Sequence, residues 1–339
     1  MSANKETILA IDVGGTHQRL ASIDRDGNIL NKRIYEHSSV DKALFFSQLR
    51  KKIEAFLSEE RCQGIAVALP ATIDGKTRIV YDAPNLSFLV GSNLNEEFSF
   101  LSPPWVVEND ANCALLGEAW LGEGKECDSF CCLTLGTGIG SGLLLNRKLW
   151  TGVRGMASEI GHLKIDFSGL YPCQCGDHGC LEAFASGSAL YRKTGYSALK
   201  LHEMARAGDP YAREIFDHMG EYLGRGIGSL ANALNIEKFV LTGRVSAAFN
   251  FFYPSAIRVA KKSAMKGPRE RITIVQSKLG DEAGLLGAAY DWLRQVSSLR
   301  ARIEQYRENN NQPFDDHLIK CGDIHETHPV IEHPNNKSA

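Results

Sequence analysis

The chain has 339 residues, enough for two domains and short for three. With 43% hydrophobic residues, 23% charged residues and a net charge of -2, it has an ordinary globular composition, and its charge gives no reason to expect nucleic acid or an anionic membrane as partner. Nine cysteines, odd in number and including the neighbours Cys131 and Cys132, argue against a secreted disulfide framework. No signal peptide is evident, and the uncharged stretch Phe130 to Leu145 is too short to span a bilayer and is broken by four glycines, so the expected location is the cytoplasm.

In chain order, Ile8 to Asp12 reads as a buried strand ending at Gly14-Gly15, and His17 to Asp24 as a second strand. Asp26-Gly27 is a hairpin signal before a strand from Ile29 to Tyr35. Helical spacing follows from Asp41 to Leu57, then a strand from Gly64 to Leu69 and a turn at Asp74-Gly75. Trp105 to Glu108 is a short strand leading into Asn109-Asp110-Ala-Asn112, with a helix from Cys113 to Leu121. A similar order then begins again. Phe130 to Leu135 is a strand ending in Gly136-Thr137-Gly138-Ile-Gly140, and Gly142 to Leu145 returns. Helical segments dominate Ala198 to Leu234, followed by strands at Phe239 to Leu241 and Ile272 to Gln276 and a closing helix from Gly284 to Val296. The repeated glycine-bearing hairpin predicts two halves of similar fold facing each other across a cleft. From Arg300 to Ala339 the chain is polar, without clear periodicity, and reads as a loosely ordered tail.

Asp12-Val-Gly14-Gly15-Thr16 joins two strands. Glycines let backbone N–H groups approach an anion, and the threonine hydroxyl adds a donor. Asp12 can hold Mg2+ through water, because Mg2+ keeps much of its hydration. Gly136-Thr137-Gly138 offers donors from the other half, and the two loops together favour a nucleoside triphosphate in the cleft. Neither loop is a Walker motif or a dinucleotide fingerprint, both of which open a helix.

His162, Cys173, Cys175 and Cys180 have the ligand chemistry of a closed tetrahedral zinc site, with Gly176 and Gly179 for the turns. Ordinary reduced thiols, or a disulfide, are the plainer alternatives. Glu159 precedes the histidine and Glu182 follows the last cysteine, so the ligands are interleaved with acids. Asp110, between a strand and a helix, suits a carboxylate that accepts a hydroxyl proton in phosphoryl transfer to an alcohol, with Asn109 and Asn112 beside it. A helix N-cap, by Asn109 or Asp110, explains the same residues equally well.

Together these segments resemble the ROK (repressor, open reading frame, kinase) family of sugar kinases in the actin-like ATPase superfamily. The resemblance runs from about Ile8 to Leu293. It is carried by Asp12-Val-Gly-Gly-Thr16, Ala83-Pro-Asn-Leu86, Glu108-Asn-Asp-Ala-Asn112, Leu135-Gly-Thr-Gly-Ile-Gly140, Glu159-Ile-Gly-His162 and Cys173-x-Cys-Gly-x-x-Gly-Cys-Leu-Glu182.

The resemblance implies an α/β, two-lobed, ribonuclease H-like fold with a cleft and a zinc knuckle. A small lobe of residues 1–118 would be closed by a helix over 284–298, and a larger lobe of 119–283 would carry the knuckle at 162–182. It implies an ATP-dependent kinase of carbohydrate metabolism, glucokinase first, that phosphorylates the 6-hydroxyl of a hexose. Asp110 would be the general base. Asn109, Asp110, Glu159, His162 and Glu182 would bind the sugar, with one nitrogen of His162 on structural Zn2+ and the other toward the substrate. Asp12, Gly14, Gly15, Thr16, Gly136, Thr137, Gly138 and Gly243 would hold ATP and Mg2+, and a homodimer is the family habit.

Three segments depart from the family pattern. Leu69-Pro-Ala71 stands where Pro-Gly is usual, Thr242-Gly-Arg244-Val-Ser246 where three glycines are, and His17 where lysine is commoner. Other hexoses, N-acetylmannosamine and N-acetylglucosamine are the alternative substrates, and a sugar-binding protein without kinase activity is a further alternative. The repressors of the family carry a helix-turn-helix domain ahead of the first loop, for which the expected reading leaves no room before Asp12.

Overall fold

A computed structural model describes residues 7–310 except 39 and 103, with side chains through 298. The tail beyond Asn310 lies outside the described residues. The first half comprises β1 (Thr7–Val13), β2 (His17–Asp24), β3 (Ile29–Glu36), α1 (Lys42–Glu59), β4 (Gly64–Leu69), a ribbon of β5 (Thr72–Ile73) and β6 (Val80–Asp82), α2 (Leu94–Glu97), β7 (Trp105–Asn109) and α3 (Asp110–Leu121). The second comprises β8 (Phe130–Leu135), β9 (Ile139–Leu145), β10 (Lys148–Leu149), α4 (Glu182–Ala185), α5 (Gly187–Thr194), α6 (Ala198–Arg206), α7 (Pro210–Leu234), β11 (Lys238–Thr242), α8 (Phe249–Ser263), α9 (Lys266–Arg271), β12 (Thr273–Gln276) and α10 (Ala283–Asn310).

Two five-stranded sheets form, ordered β3-β2-β1-β4-β7 and β10-β9-β8-β11-β12. In each, a hairpin supplies the antiparallel strands and later crossovers supply the parallel ones. The two halves thus repeat one topology, as the repeated glycine hairpin predicts. β1 is central and buried along its whole length, which its apolar run Ile-Leu-Ala-Ile requires. β3 alternates partly buried and exposed residues, the pattern of an edge strand with one wet face. Helices of the second half open on capping side chains at Ser186, Ser197 and Asp209, the last followed by proline at the first helical position.

The helices that follow the two sheets are exchanged. α3, which continues from β7, packs on β8 and β9 of the second sheet, where Ala114 and Leu115 join Phe130, Cys132 and Leu144. α10, which follows β12, packs on β1 and β4 of the first sheet, where Leu285, Ala289 and Trp292 meet Ile8, Ala10 and Ala66. Between the lobes α3 and α10 lie against each other. A Cβ on Gly117 would sit 2.2 Å from the Ala283 carbonyl oxygen, and one on Gly287 only 1.6 Å from that of Cys113. Those contacts are with backbone, which cannot swing aside. Gly287→Ala is therefore expected to cost ~3 kcal/mol, the upper end for overpacking, read as a lower urea midpoint. An unchanged midpoint would show that the two helices do not need this close approach.

α10 runs on to Asn310 instead of closing near residue 298, because the polar residues after Ser298 are mostly good helix formers. No described helix is long and apolar enough to cross a membrane.

Candidate active site

The register of the first sheet pairs Asp12 with Ala68 and Ala68 with Glu108, so Asp12 and Asp110 stand at the same, carboxyl-terminal edge of three parallel strands. In the second sheet Thr134 pairs with Thr242, bringing Gly136 and Gly243 to the corresponding edge. Ligands of open α/β sheets bind at such edges. A cavity of about 720 Å³ lies there. Its walls include Asn109, Asp110, Gly136, Thr137, Gly138, Glu159, His162, Glu182 and Gly243.

The N-cap question is resolved by Asn109, whose side-chain oxygen accepts from the backbone N–H groups of Ala111 (2.9 Å) and Asn112 (3.1 Å). Its Nδ2 donates to the Ala71 carbonyl (3.2 Å), so one N–H remains for a ligand. Asp110 is thereby the first residue of α3, three positions earlier than the sequence suggests, and its carboxylate faces the cavity. Burial pushes its pKa up to about 7, with the nearby Asp12 and Glu159 acting in the same direction against the Ala111 and Asp110 backbone N–H groups. A carboxylate at that pKa can hold or release a proton near neutral pH.

The first loop lies at the margin and is not among the residues lining this cavity. Gly15 lies near it, its Cβ position 3.7 Å from Asn85, which does line it. The Gly14 N–H closes the turn on the His17 carbonyl (2.8 Å), His37 Nε2 bonds the Gly14 carbonyl (2.7 Å), and the Thr16 hydroxyl meets His17 Nδ1 (2.8 Å). Asp12 is paired with Arg19 (2.7 Å), which also reaches Asp281 (3.4 Å) at the approach to α10. Burial raises the Asp12 pKa despite that pairing. Arg19 supplies a positive charge beside a loop where His17 replaces the commoner lysine. Arg244 is exposed and outside the cavity wall, so it does not obstruct the cavity.

His162 Nδ1 lies 3.5 Å from Cys173 Sγ, and Cys175 Sγ lies 3.7 Å from Cys180 Sγ. All four ligand atoms fall within 4.8 Å of one another. Tetrahedral zinc with bonds of ~2.3 Å to sulfur and ~2.0 Å to nitrogen spaces its ligands by ~3.5–3.8 Å. The donor set fits zinc in both chemistry and spacing, and a disulfide among these cysteines is absent. With Nδ1 turned to the cluster, His162 presents its remaining edge to the cavity.

Glu182 joins the knuckle to the second loop. Its Oε2 accepts from the Ile139 N–H (2.9 Å) and its Oε1 lies 3.5 Å from Cys173 Sγ. A Cβ on Gly138 would come within 2.3 Å of Glu182 Oε2, so a side chain here would displace the Glu182 carboxylate. Glu159 follows Ser158, a left-handed residue (φ 76°), and accepts from the Thr72 hydroxyl of the first half (3.3 Å). Sequence reading missed Thr72 and Arg19. The Thr72 contact is too long-range to leave a local signal. Arg19 was accessible, because the hairpin register sets it opposite Asp12.

The ROK family profile matches residues 8–295. The chain is 32% identical over 320 residues to the glucokinase of Halalkalibacterium halodurans, covering 86% of this chain and 96% of that protein. It is 30% identical over 294 residues to the N-acetylmannosamine kinase of Yersinia pestis, covering 84% and 98%. The crystal structure of a ROK family glucokinase from Streptomyces griseus in complex with glucose and AMPPNP superposes with a TM-score of 0.74 at 28% identity, covering 84% of this chain and 98% of that one. The two-lobed fold, the knuckle and these relatives agree, and the chain belongs to the ROK family.

Proposed function

We propose that the protein transfers the γ-phosphoryl group of ATP to the 6-hydroxyl of a hexose, with glucose as the first candidate. The observation that carries this reading is Asp110, a carboxylate held near neutral pKa at the start of a rigid helix, facing a cavity whose opposite wall is a glycine turn. Asp110 takes the hydroxyl proton as that oxygen forms its bond to the γ-phosphorus. The bond from the γ-phosphorus to the β–γ bridging oxygen breaks and ADP leaves.

The remaining N–H of Asn109, the Glu159 and Glu182 carboxylates and His162 hold the sugar hydroxyls. Gly136, Thr137 and Gly138 turn backbone donors to the phosphates, with Gly14, Gly15 and Thr16 joining from the cleft margin and Gly243 beside the nucleoside. Asp12, beside Arg19, would hold Mg2+. Lobe closure excludes water, which would otherwise compete with the sugar for the phosphoryl group. Zinc would be held by His162, Cys173, Cys175 and Cys180, where it fixes the knuckle that carries Glu182. A homodimer and a cytoplasmic location belong to the same reading, and the free thiols among the described cysteines suit a reducing compartment.

Steady-state ADP release with glucose, mannose, N-acetylmannosamine and N-acetylglucosamine tests it. Glucose is expected to give the highest kcat/KM. Higher turnover with an N-acetyl sugar would reassign the substrate, and measurable sugar binding without turnover on any of them would refute the kinase reading.

A further inference from the structure

A second cavity, of about 280 Å³, shares no lining residue with the first. Its walls converge from four places, the turn between β5 and β6, the end of β7 at Val107 and Glu108, the loop of residues 151–155 after β10, and Arg294 with Gln295 on α10. The β5–β6 turn and the 151–155 loop are clasped together. The Gly75 N–H donates to the Arg154 carbonyl (2.8 Å), and Arg154 Nε pairs with Asp74 (3.0 Å).

Four cationic side chains line the space, Lys76, Arg78, Arg154 and Arg294, against the carboxylates of Asp74 and Glu108. A third carboxylate, Asp291, is fully buried behind Arg294 and paired with it (2.9 Å). Positive charge is in excess even with all three ionised. Arg78 is buried, stacked over Trp105 at 4.7 Å, and holds a left-handed backbone (φ 59°), so it is fixed in place and not a solvated surface cation.

Gln295 is 9% exposed. Its Nε2 donates to Asp291 (2.7 Å), and its Oε1 is buried without a hydrogen-bond partner. Buried acceptors are rarely left unpaired, so Oε1 calls for a donor. A site with surplus cations and one waiting acceptor matches an anion that also carries hydroxyl groups.

We propose that this cavity binds a small phosphate monoester bearing free hydroxyls, with its phosphate toward the cations and one hydroxyl donating to Gln295 Oε1. The ligand touches elements of both lobes across the Asp74–Arg154 clasp, so it favours the arrangement in which the clasp is made. Glu108 on the cavity wall accepts from the Asn109 N–H (2.7 Å) and from Asn112 Nδ2 (2.9 Å) at the start of α3, so the site abuts the support of Asp110.

The test is calorimetric titration of the full-length protein with glucose 6-phosphate and, separately, inorganic phosphate, after saturating the first cavity with glucose and AMPPNP. One further site per chain is expected for glucose 6-phosphate, weaker for inorganic phosphate. Its affinity should fall roughly tenfold in Gln295→Leu and in Arg154→Gln, each of which loses one ligand contact. Arg154 is exposed, so that variant serves if Gln295→Leu fails to fold. No binding beyond the saturated control, or a further site equally tight in both variants, overturns the proposal. Inorganic phosphate binding as tightly as the ester overturns the hydroxyl assignment. The blocking step rests on the kinase reading. If glucose and AMPPNP do not bind, that reading fails, and the second site is judged from the dependence of glucose 6-phosphate binding on Arg154 and Gln295 alone.

Discussion

Asp110→Asn is expected to lower kcat by ~10³-fold while leaving the dissociation constant for glucose within roughly threefold, since general-base catalysis contributes ~10²–10⁴. The amide keeps the shape of the carboxylate and its bond to the Ala111 N–H (2.9 Å) but cannot take up a proton at neutral pH. Rapid-quench kinetics and calorimetry separate the two effects. Near-normal turnover in the variant would remove Asp110 from the base role.

Proton linkage gives a second readout. The Asp110 carboxyl titrates near 7 in the folded protein, above the ordinary 3.8, so the native state holds that proton more tightly than the unfolded chain does. Its ionisation therefore lowers stability progressively as pH rises from about 4 through 7. Catalysis needs the ionised form, so kcat/KM should fall on the acid side of about pH 7. The variant should lack the Asp110 share of the stability loss and melt higher than the parent at pH 8. Glu108, also pushed up to about 7 by burial and by Asp291, retains its own share in both proteins.

Removing zinc is expected to have the second large effect. Structural zinc sites contribute ~10–16 kcal/mol to folding of small zinc domains, so stripping the metal should melt the knuckle. Cys180 is fully buried, and Cys180→Ser should reproduce the loss. The physical route to the sugar is Glu182, two residues beyond Cys180 and bonded to the Ile139 N–H of the second loop. Without the knuckle to seat it, Glu182 loses its fixed position, and glucose affinity should drop by tenfold or more (~1.4 kcal/mol). Metal analysis should find one zinc per chain before chelation. Native glucose affinity in metal-free protein would break the proposed link between knuckle and sugar.

The parts of this molecule that were legible in the sequence are those governed by local rules. The buried run of β1, the glycine turns and the Cys173-x-Cys175 to Cys180 ligand spacing each declare themselves within a few residues. Errors of extent have local causes too. Asn109, Asp110 and Asn112 favour turns, which hid the true start of α3. The polar residues past Ser298 hid the end of α10. α8 buries Phe252, Ser255, Ala256 and Ala260 at helical spacing, but Pro254 inside it read as a helix breaker and the helix was missed. The exchange of α3 and α10, the Thr72–Glu159 bond and the second cavity depend on segments far apart in the chain, and no local pattern encodes them.

The exchange of α3 and α10 also governs how the protein comes apart. Each sheet has one face closed by a helix that the other half of the chain contributes, so neither lobe holds a complete core by itself. When one sheet melts, its departing helix uncovers the other. The two lobes are therefore tied into one cooperative unfolding unit. The contact that joins the lobes cannot be lost without losing the fold.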